Sequence, residues 1–348
     1  MESPTDIRFT TINLLNYLEP PNAYYEFENI YAHDEWIKKQ QWFRNKLTEL
    51  NSDVIGFQEV FSPDSLKNLV AELGFPYFEV VDNPEVIDDY LFFSPVVAIA
   101  SKYPIVSVQP VQADQNLLKA FELPDTFQFN RVPIHATVEL PHLGNTDIYV
   151  VHFKSQRSTE VKTDYVISSS HSENTEYTPS PSLNQLHEEQ LGSWLSTIQR
   201  GLEANLLHRY ISAQRDSVRQ PVVLMGDFNK PLSSDEFKGL LSFELNRNVE
   251  SKHWLSEFRL RDSWDLYHQL QSSDLLEQRP ATHYYGAKGS TLDYIVLSNE
   301  FDCGADQNIM EVRQYKIVDQ HIVNPSFEHD QFSTDHALVS ITTRLRNG

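Results

Sequence analysis

Apolar runs in this chain repeatedly end in a side chain able to hold a cation, move a proton or grip an anion. Asn13 follows Thr11-Ile12, and Glu59 closes Val54-Ile55-Gly56-Phe57-Gln58. His152 closes Ile148-Tyr149-Val150-Val151, and Lys154 lies two residues on. Asp227 closes Val222-Val223-Leu224-Met225-Gly226, with Asn229 shortly after. Asp293 opens Tyr294-Ile295-Val296-Leu297, and Asp335-His336 precede Ala337-Leu338-Val339. Taken singly, each has an ordinary explanation. Gly, Asp and Asn favour turns, a glutamate at a strand end is more often a surface acid, and a histidine there is more often a satisfied core residue. Together they supply the parts for metal-assisted phosphoester hydrolysis. A phosphodiester repels an incoming hydroxide and its alkoxide leaves poorly, so the reaction needs positive donors at the phosphate oxygens and an acid/base pair.

These residues need elements to carry them to one place. Residues 222–225 are apolar throughout, as expected for a strand buried on both faces. Alternation along an extended chain places Asp227 and Asn229 on one side and Phe228 on the other. Ile7 to Leu14, Asp53 to Glu59, Phe75 to Val81, Val96 to Ala100, Ile134 to Leu140, Ile148 to Lys154, Thr291 to Ser298, Val312 to Val318 and Ala337 to Leu345 read as further strands. Asp34 is placed to cap a helix whose buried face is Trp36, Ile37, Phe43, Leu47 and Leu50. Ser62-Pro63-Asp64 starts another, with Leu66, Leu69, Val70 and Leu73 inward and Gly74 ending it. The longest helix runs from Leu183 to about Tyr210. Its apolar residues Leu186, Leu191, Trp194, Leu195, Ile198, Leu202 and Leu206 recur at three- and four-residue steps, which predicts a buried face. A short helix after Ser234 turns Phe237, Leu240 and Leu241 inward. Helices alternate with strands, but many strands follow one another by short turns, which argues for a mixed-sheet sandwich with helices outside.

Residues 156–182 depart from this pattern. The stretch is rich in Ser, Thr and Glu, and its place directly after His152 fits a substrate-side flap or a passive insertion equally. No internal sequence repeat or domain linker is visible, so 1–348 reads as one catalytic domain carrying that insertion.

The composition is globular, with 40% hydrophobic and 22% charged residues, and the net charge is −21 from 28 basic against 49 acidic side chains. That excludes a generally basic nucleic-acid footprint and argues against tight metal-free DNA binding. It leaves open a metal-dependent enzyme, whose cation bridges acidic protein and anionic substrate. The single cysteine, Cys303, excludes an intramolecular disulfide and a thiolate metal cluster. Residues 1–10 show neither a basic nor an apolar signal region, and no run reaches the ~20 apolar residues of a membrane span. A cytoplasmic protein without membrane insertion is the default expectation, with a secreted form not excluded. Oligomeric state is not legible.

Read in order, Thr11-Ile12-Asn13, Gln58-Glu59, Ser101-Lys102-Tyr103-Pro104-Ile105, Arg131, His152, Gly226-Asp227-Phe228-Asn229, Leu292-Asp293-Tyr294 and Thr334-Asp335-His336 span nearly the whole chain. In type and order they resemble the endonuclease/exonuclease/phosphatase superfamily, which contains pancreatic-type deoxyribonuclease, abasic-site endonucleases, neutral sphingomyelinases and inositol polyphosphate 5-phosphatases. The Gly-Asp-Phe-Asn and Asp-His elements are the more specific. The resemblance implies a four-layer α/β sandwich of two central mixed sheets flanked by helices. It implies Glu59 as main metal ligand with Asn13 beside it and Asp335 close by. It implies Asp227 orienting or deprotonating the attacking water, with Asn229 fixing its geometry. His336 would contact the scissile phosphate with Asp293 as its carboxylate partner, and His152 is a candidate proton donor to the leaving oxygen. Arg131 would hold the phosphate, and Lys154 lies close enough to assist or may as readily be solvated. Hard oxygen donors suit Mg²⁺, with Mn²⁺ or Ca²⁺ as substitutes, and no Cys/His cluster at suitable spacing favours zinc.

The superfamily splits by substrate. A nuclease acting on DNA or RNA phosphodiesters is the first expectation. A sphingomyelinase-like or inositol-phosphate phosphoesterase is the alternative, and a non-catalytic scaffold is disfavoured because every catalytic station is filled. The chain departs from the family pattern at Val96-Val97, where a glycine is common, and at the 156–182 insertion.

Overall fold

A strand that is apolar throughout needs cover on both faces, and the computed structural model shows how residues 222–225 obtain it. Val223 and Met225 point between two stacked sheets, while Val222 and Leu224 pack beneath a helix. The structure describes residues 6–120, 122–123, 127–161, 180–241, 257–271 and 278–346. One six-stranded sheet runs, in spatial order, Met310–Val318, Leu338–Leu345, Asp6–Tyr17, Val54–Val60, Val96–Ser101 and Tyr77–Glu79. The other runs Arg261–Asp262, Asp293–Leu297, Val222–Asp227, Gly144–His152, Ile134–Leu140 and Ile105–Pro110. Ile7, Phe9, Val54 and Ile99 meet Ile134, Val150, Val223, Met225 and Ile295 between the sheets. The outer face of the first sheet is covered by the helices His33–Leu50 and Pro63–Glu72, and that of the second by Pro181–Ser217. The expected four-layer α/β sandwich is thereby present.

The two sheets are built alike, although no repeat is visible in the sequence. Each contains one parallel pair, Asp6–Tyr17 with Val54–Val60 and Gly144–His152 with Val222–Asp227. A parallel pair needs a long crossover, and the helices His33–Leu50 and Pro181–Ser217 provide the two crossovers. Beside the second member of each pair lies an antiparallel strand, Val96–Ser101 in one sheet and Asp293–Leu297 in the other. Ligands in such sheets collect beyond the carboxyl ends of the parallel strands. Asn13, Glu59, His152 and Asp227 all lie at or near those ends.

Glycine is required where strands or sheets come closest. A Cβ on Gly226, whose φ is +152°, would stand 2.0 Å from the Val151 carbonyl oxygen. Gly56 faces Val150 and Met225 across the inter-sheet space, and its missing side chain lets the sheets approach.

Several expected details differ. The long helix spans Pro181–Ser217, yet Leu186, Leu191, Trp194, Leu195 and Ile198 are exposed, and the buried side in that half is Gly192, Ser196 and Arg200. The cause is the segment leaving His152. Thr159 donates its N–H to the Gly192 carbonyl at 3.1 Å, and a Cβ on that glycine would lie 2.2 Å from the Thr159 carbonyl oxygen. Small residues, not large apolar ones, let the segment lie on the helix. Ile37 is likewise exposed, while Trp36, Phe43, Leu47 and Leu50 of its helix are buried as expected. A small sheet with no clear signal in the sequence, Ala23–Tyr24, Leu91–Ser94 and Glu85–Ile87, carries Phe92 against Phe61. Of the polar stretch 156–182, residues 162–179 lie outside the described residues, and with them most of the expected flap. Among the described residues no helix is long and apolar enough to cross a membrane.

Candidate active site

Strand Asp6–Tyr17 delivers Asn13 and Val54–Val60 delivers Glu59 from one sheet, while Val222–Asp227 delivers Asp227 from the other. Their meeting point is the Asn13 amide. Its nitrogen donates to Glu59 Oε1 and to Asp227 Oδ2, each at 3.2 Å, and its oxygen accepts the Leu15 N–H at 3.0 Å. Glu59 Oε2 accepts the Asn16 N–H at 2.9 Å. The backbone here is unusual. Leu15, Asn16, Glu59 and Asn229 all have φ between 51° and 61°. Non-glycine residues rarely adopt that region, and clusters of them gather at functional sites.

Asp227 is buried, and its second oxygen accepts the Asn229 N–H at 2.7 Å. The extended chain stops at this point, so the expected alternation does not continue. Asn229 turns left-handed and its side chain donates to the Phe153 carbonyl at 2.9 Å. It therefore ties the exit of the His152 strand to Asp227. Phe228 points away from the site, into Phe153, Phe237 and Tyr294.

His152 and His336 approach Asp227 from two sides. His152 Nε2 lies 3.4 Å and His336 Nε2 lies 3.9 Å from Asp227 Oδ2. The other ring nitrogen of His336 meets Asp293 Oδ2 at 2.9 Å. Thr334 steers this end of the site, donating its hydroxyl to the Asn13 carbonyl at 2.7 Å and accepting the His336 N–H at 3.1 Å. Thr282 accepts the N–H groups of Leu292 and Asp293, which fixes the entry of Asp293 into its strand.

Burial and charge divide the two histidines. Burial together with the Arg131 and His336 charges holds His152 well below the usual imidazole range, so it is neutral at pH 7. Burial alone would lower His336 too, but the carboxylates of Asp293 and Asp227 outweigh it and hold the ring well above that range. Burial pushes the Asp227 carboxyl up to about 7, with Asp293 and Glu59 adding to the rise and His336 opposing it. A neutral imidazole, an imidazolium and a carboxyl poised near neutrality thus sit within one cluster. Such divergent states in neighbouring groups mark acid/base roles.

Asp335 is half exposed and faces His283, whose Nε2 is 3.9 Å from Asp335 Oδ2 and whose ring lies tilted, with its centroid 5.0 Å from that of His336. Among the described residues, Asp227, Asp293 and His336 form one set of mutually close donor atoms, and His283, Asp335 and His336 form another. Behind Glu59 and Asp335 stands a buried lysine, Lys39, which donates to the Ser333 carbonyl at 3.1 Å. Burial pulls its ammonium down to about 7 against the opposing pull of Glu59 and Asp335. Carboxylates therefore outnumber cations at this rim, and hard oxygens in excess are the donor chemistry that a hydrated Mg²⁺ satisfies.

Arg131 adds a cation near the exit of the His152 strand. Its charge acts on His152, Lys154 and Tyr25. Glu203 of the long helix accepts the N–H groups of Asn130 at 2.7 Å and Lys154 at 2.8 Å, so one buried carboxylate holds both cation-bearing segments. Arg200 accompanies it, donating to the Lys154 and Ser155 carbonyls and pairing with Glu236 at 2.8 Å. The Ser101-Lys102-Tyr103-Pro104-Ile105 motif is not part of this cluster. It pairs with the beginning of the Val54–Val60 strand, where Lys102 bonds Asn51 and neighbours Asp53, and it carries the chain from one sheet to the other.

Sequence reasoning missed Lys39, His283, Thr282 and Glu203. Only Thr334 had a local signal, because it adjoins Asp335-His336. Lys39 and Glu203 lie on helices, Thr282 in a loop and His283 on the short strand His283–Tyr285, where the pattern encodes packing alone.

Comparisons with known proteins agree on this architecture. The human Nocturnin catalytic domain with bound sulfate superposes with a TM-score of 0.57 at 17% identity, covering 99% of this chain and 95% of that one. An endonuclease/exonuclease/phosphatase from Bacteroides vulgatus gives 0.55 at 15%, covering 98% and 100%. ANGEL2, a 2′,3′-cyclic phosphatase in complex with adenosine-2′,3′-vanadate, gives 0.54 at 12%, covering 98% and 96%. No curated protein sequence matches the chain. The sequence profile of the Endonuclease/Exonuclease/phosphatase family matches residues 34–336, nearly the whole chain from Asp34 to His336. On that match the chain belongs to the Endonuclease/Exonuclease/phosphatase family.

Proposed function

We propose that this protein is a metal-dependent phosphodiesterase that acts on nucleic acid by activated-water attack. The observation that carries the reading is the Asn13 amide held between Glu59 and Asp227, with His336 on Asp293 beside it. That arrangement gathers the carboxyl groups of Glu59 and Asp227 and the imidazole of His336, which supports roles for them as cation ligand, base and electrostatic donor in turn. Glu59, with Asp335 and Asn13, would hold Mg²⁺, and the ion would supply charge compensation at the phosphate oxygens.

The chain's own residues account for the rest. Asp227, held by the Asn229 N–H, takes the proton of the attacking water. His336, kept charged by Asp293, donates to a non-bridging phosphate oxygen and offsets the growing negative charge. Arg131 holds the phosphate from the other side with Lys154 next to it. The P–O bond to the leaving group breaks as the bond to the attacking water forms, and the leaving oxygen takes its proton from solvent, because the neutral His152, 3.4 Å from Asp227 Oδ2, has none to spare. Nocturnin, solved with sulfate, and ANGEL2, solved with an adenosine vanadate, are relatives in fold whose ligands are oxyanions, and ANGEL2 is named as a phosphatase of cyclic phosphates. They support a nucleotidyl phosphoester ahead of a lipid headgroup or inositol phosphate.

The test is purified protein with Mg²⁺ on plasmid, single-stranded DNA, RNA, sphingomyelin and inositol phosphates, each with and without EDTA. Asp227→Asn and His336→Ala are each expected to lower turnover ~10²–10⁴-fold while the protein stays folded, and Glu59→Gln to abolish the response to metal. Near-wild-type rates in either of the first two variants, or cleavage of lipid with nucleic acid left intact, overturn this reading.

A further inference from the structure

Arg131 is shared between the active site and a second feature. A half-open cavity of about 580 Å³ is lined in part by Arg131 and bounded by the 82–85 and 94–95 segments, the end of the Ile105–Pro110 strand and the 127–132 segment. The cavity lies within the ~300–1,000 Å³ range of small-molecule sites. Its lining is informative. The Phe127 and Phe129 rings stand edge-on, with centroids 6.0 Å apart. Gln112 and Gln128 bring amide groups, and Asp82 and Glu85 bring carboxylates. Arg131 is the only cation among its described lining residues, and its Nε is buried without a hydrogen-bond partner among the described residues.

We infer that this cavity receives the nucleoside that flanks the scissile phosphate, with Arg131 at the junction between base and phosphate. The inference rests on the phosphodiesterase reading and deepens it by naming what surrounds the phosphate. A ligand here carries one anionic group at Arg131 and an uncharged ring beyond it. The carboxylates repel a second phosphate, which counts against a polyphosphorylated inositol. Amides pair in bidentate fashion with base edges, carboxylates accept from ribose hydroxyls or exocyclic amines, and aromatic rings offer every base a stacking face. A choline headgroup would use the acids and the rings but leave the amides without a partner.

Two measurements test it. The first compares a dinucleotide of two adenosines joined by one phosphodiester with bis(4-nitrophenyl) phosphate, which has the ester and no base. In Gln112→Ala and Phe127→Ala, kcat/KM on the dinucleotide is expected to fall about tenfold relative to that on the nitrophenyl ester, in line with the loss of one stacked or hydrogen-bonded base contact. A parallel fall on both esters, or none on either, overturns the proposal. So does a selective fall on 4-nitrophenyl phosphocholine, which would assign the cavity to a cationic headgroup. The second measurement needs no turnover. Adenosine monophosphate is expected to bind at least tenfold more tightly than inorganic phosphate, and Gln112→Ala and Phe127→Ala to remove that advantage. If wild-type protein cleaves neither ester, the phosphodiesterase reading fails, and equal binding of the monophosphate and inorganic phosphate refutes the cavity's role separately.

Discussion

Lys39 shows how a residue of no apparent interest acquires an unusual electrostatic setting once the chain is folded. In the sequence it is one of several lysines on a helix. In the structure it is buried between the rings of Tyr31 and Phe43, and burial pulls its pKa down to about 7. The sign of the consequence follows from linkage. The unfolded chain keeps this ammonium protonated up to about 10.4, whereas the folded protein sheds the proton near 7. The unfolded state therefore binds more protons between those values, and stability from this group rises with pH across that window. Wild-type protein in chelator is expected to gain stability from pH 7 to 9 by up to about 1.4 kcal/mol per pH unit relative to Lys39→Met. Denaturant midpoints of the two proteins measured in parallel check this, and a constant difference across that range contradicts it. The stations that sequence reading did identify lie mostly at one end or the other of an apolar strand, because strand ends signal themselves. Lys39 gives no such signal, since its burial depends on the loop at Ser333, far along the chain.

The element that most repays study is the Pro181–Ser217 helix. Its apolar periodicity was legible and misleading. The residues that matter face the other way, and two of them are charged: Arg200 and Glu203, each buried. Glu203 satisfies the N–H groups of Asn130 and Lys154 simultaneously, so it sets the spacing between Arg131 and the segment after His152. Glu203→Leu leaves two partly buried backbone donors without their acceptor and is expected to cost about 1–3 kcal/mol. Glu203→Gln, which keeps an acceptor oxygen, is expected to cost less than half as much and to raise KM while changing kcat by less than threefold. Chemical denaturation and steady-state kinetics on the two variants separate these effects. Equal losses in both would mean that the carboxylate serves packing and not the placing of the cations. A helix wheel cannot reveal this function, because hydrophobic periodicity finds faces that cover apolar sheets and is silent on faces that clamp backbone. The strand pattern was legible for the opposite reason. Residues 222–225 and 148–151 are apolar without interruption, which only a doubly covered strand requires.

At the scale of the molecule, the puzzle is a protein of net charge −21 proposed to act on a polyanion. The two sheets bring their parallel strand ends to one rim, and that rim holds Glu59, Asp227, Asp293 and Asp335 together with the cations Arg131, Lys154 and His336. Local attraction at the phosphate is therefore set against long-range repulsion from the rest of the surface. Screening acts unequally on the two. Charges separated by more than the Debye length of about 10 Å at 0.1 M salt are largely screened, while buried close contacts are screened much less. Adding salt should consequently remove the repulsion first. With Mg²⁺ held constant and in excess, kcat/KM on single-stranded nucleic acid is expected to rise by about two- to fivefold as monovalent salt goes from roughly 10 to 100 mM, before falling at higher concentration. A nuclease that grips its substrate through a basic groove shows the reverse, a monotonic and steep loss. Kinetics at graded ionic strength, run beside an uncharged-flank substrate such as bis(4-nitrophenyl) phosphate that should barely respond, distinguish the two. A steep monotonic loss on nucleic acid would mean that a basic track exists elsewhere on the surface. It would also mean that the acidic surface does not set the encounter with substrate, and the affinity assigned here to Arg131 and the divalent ion would have to come from that track.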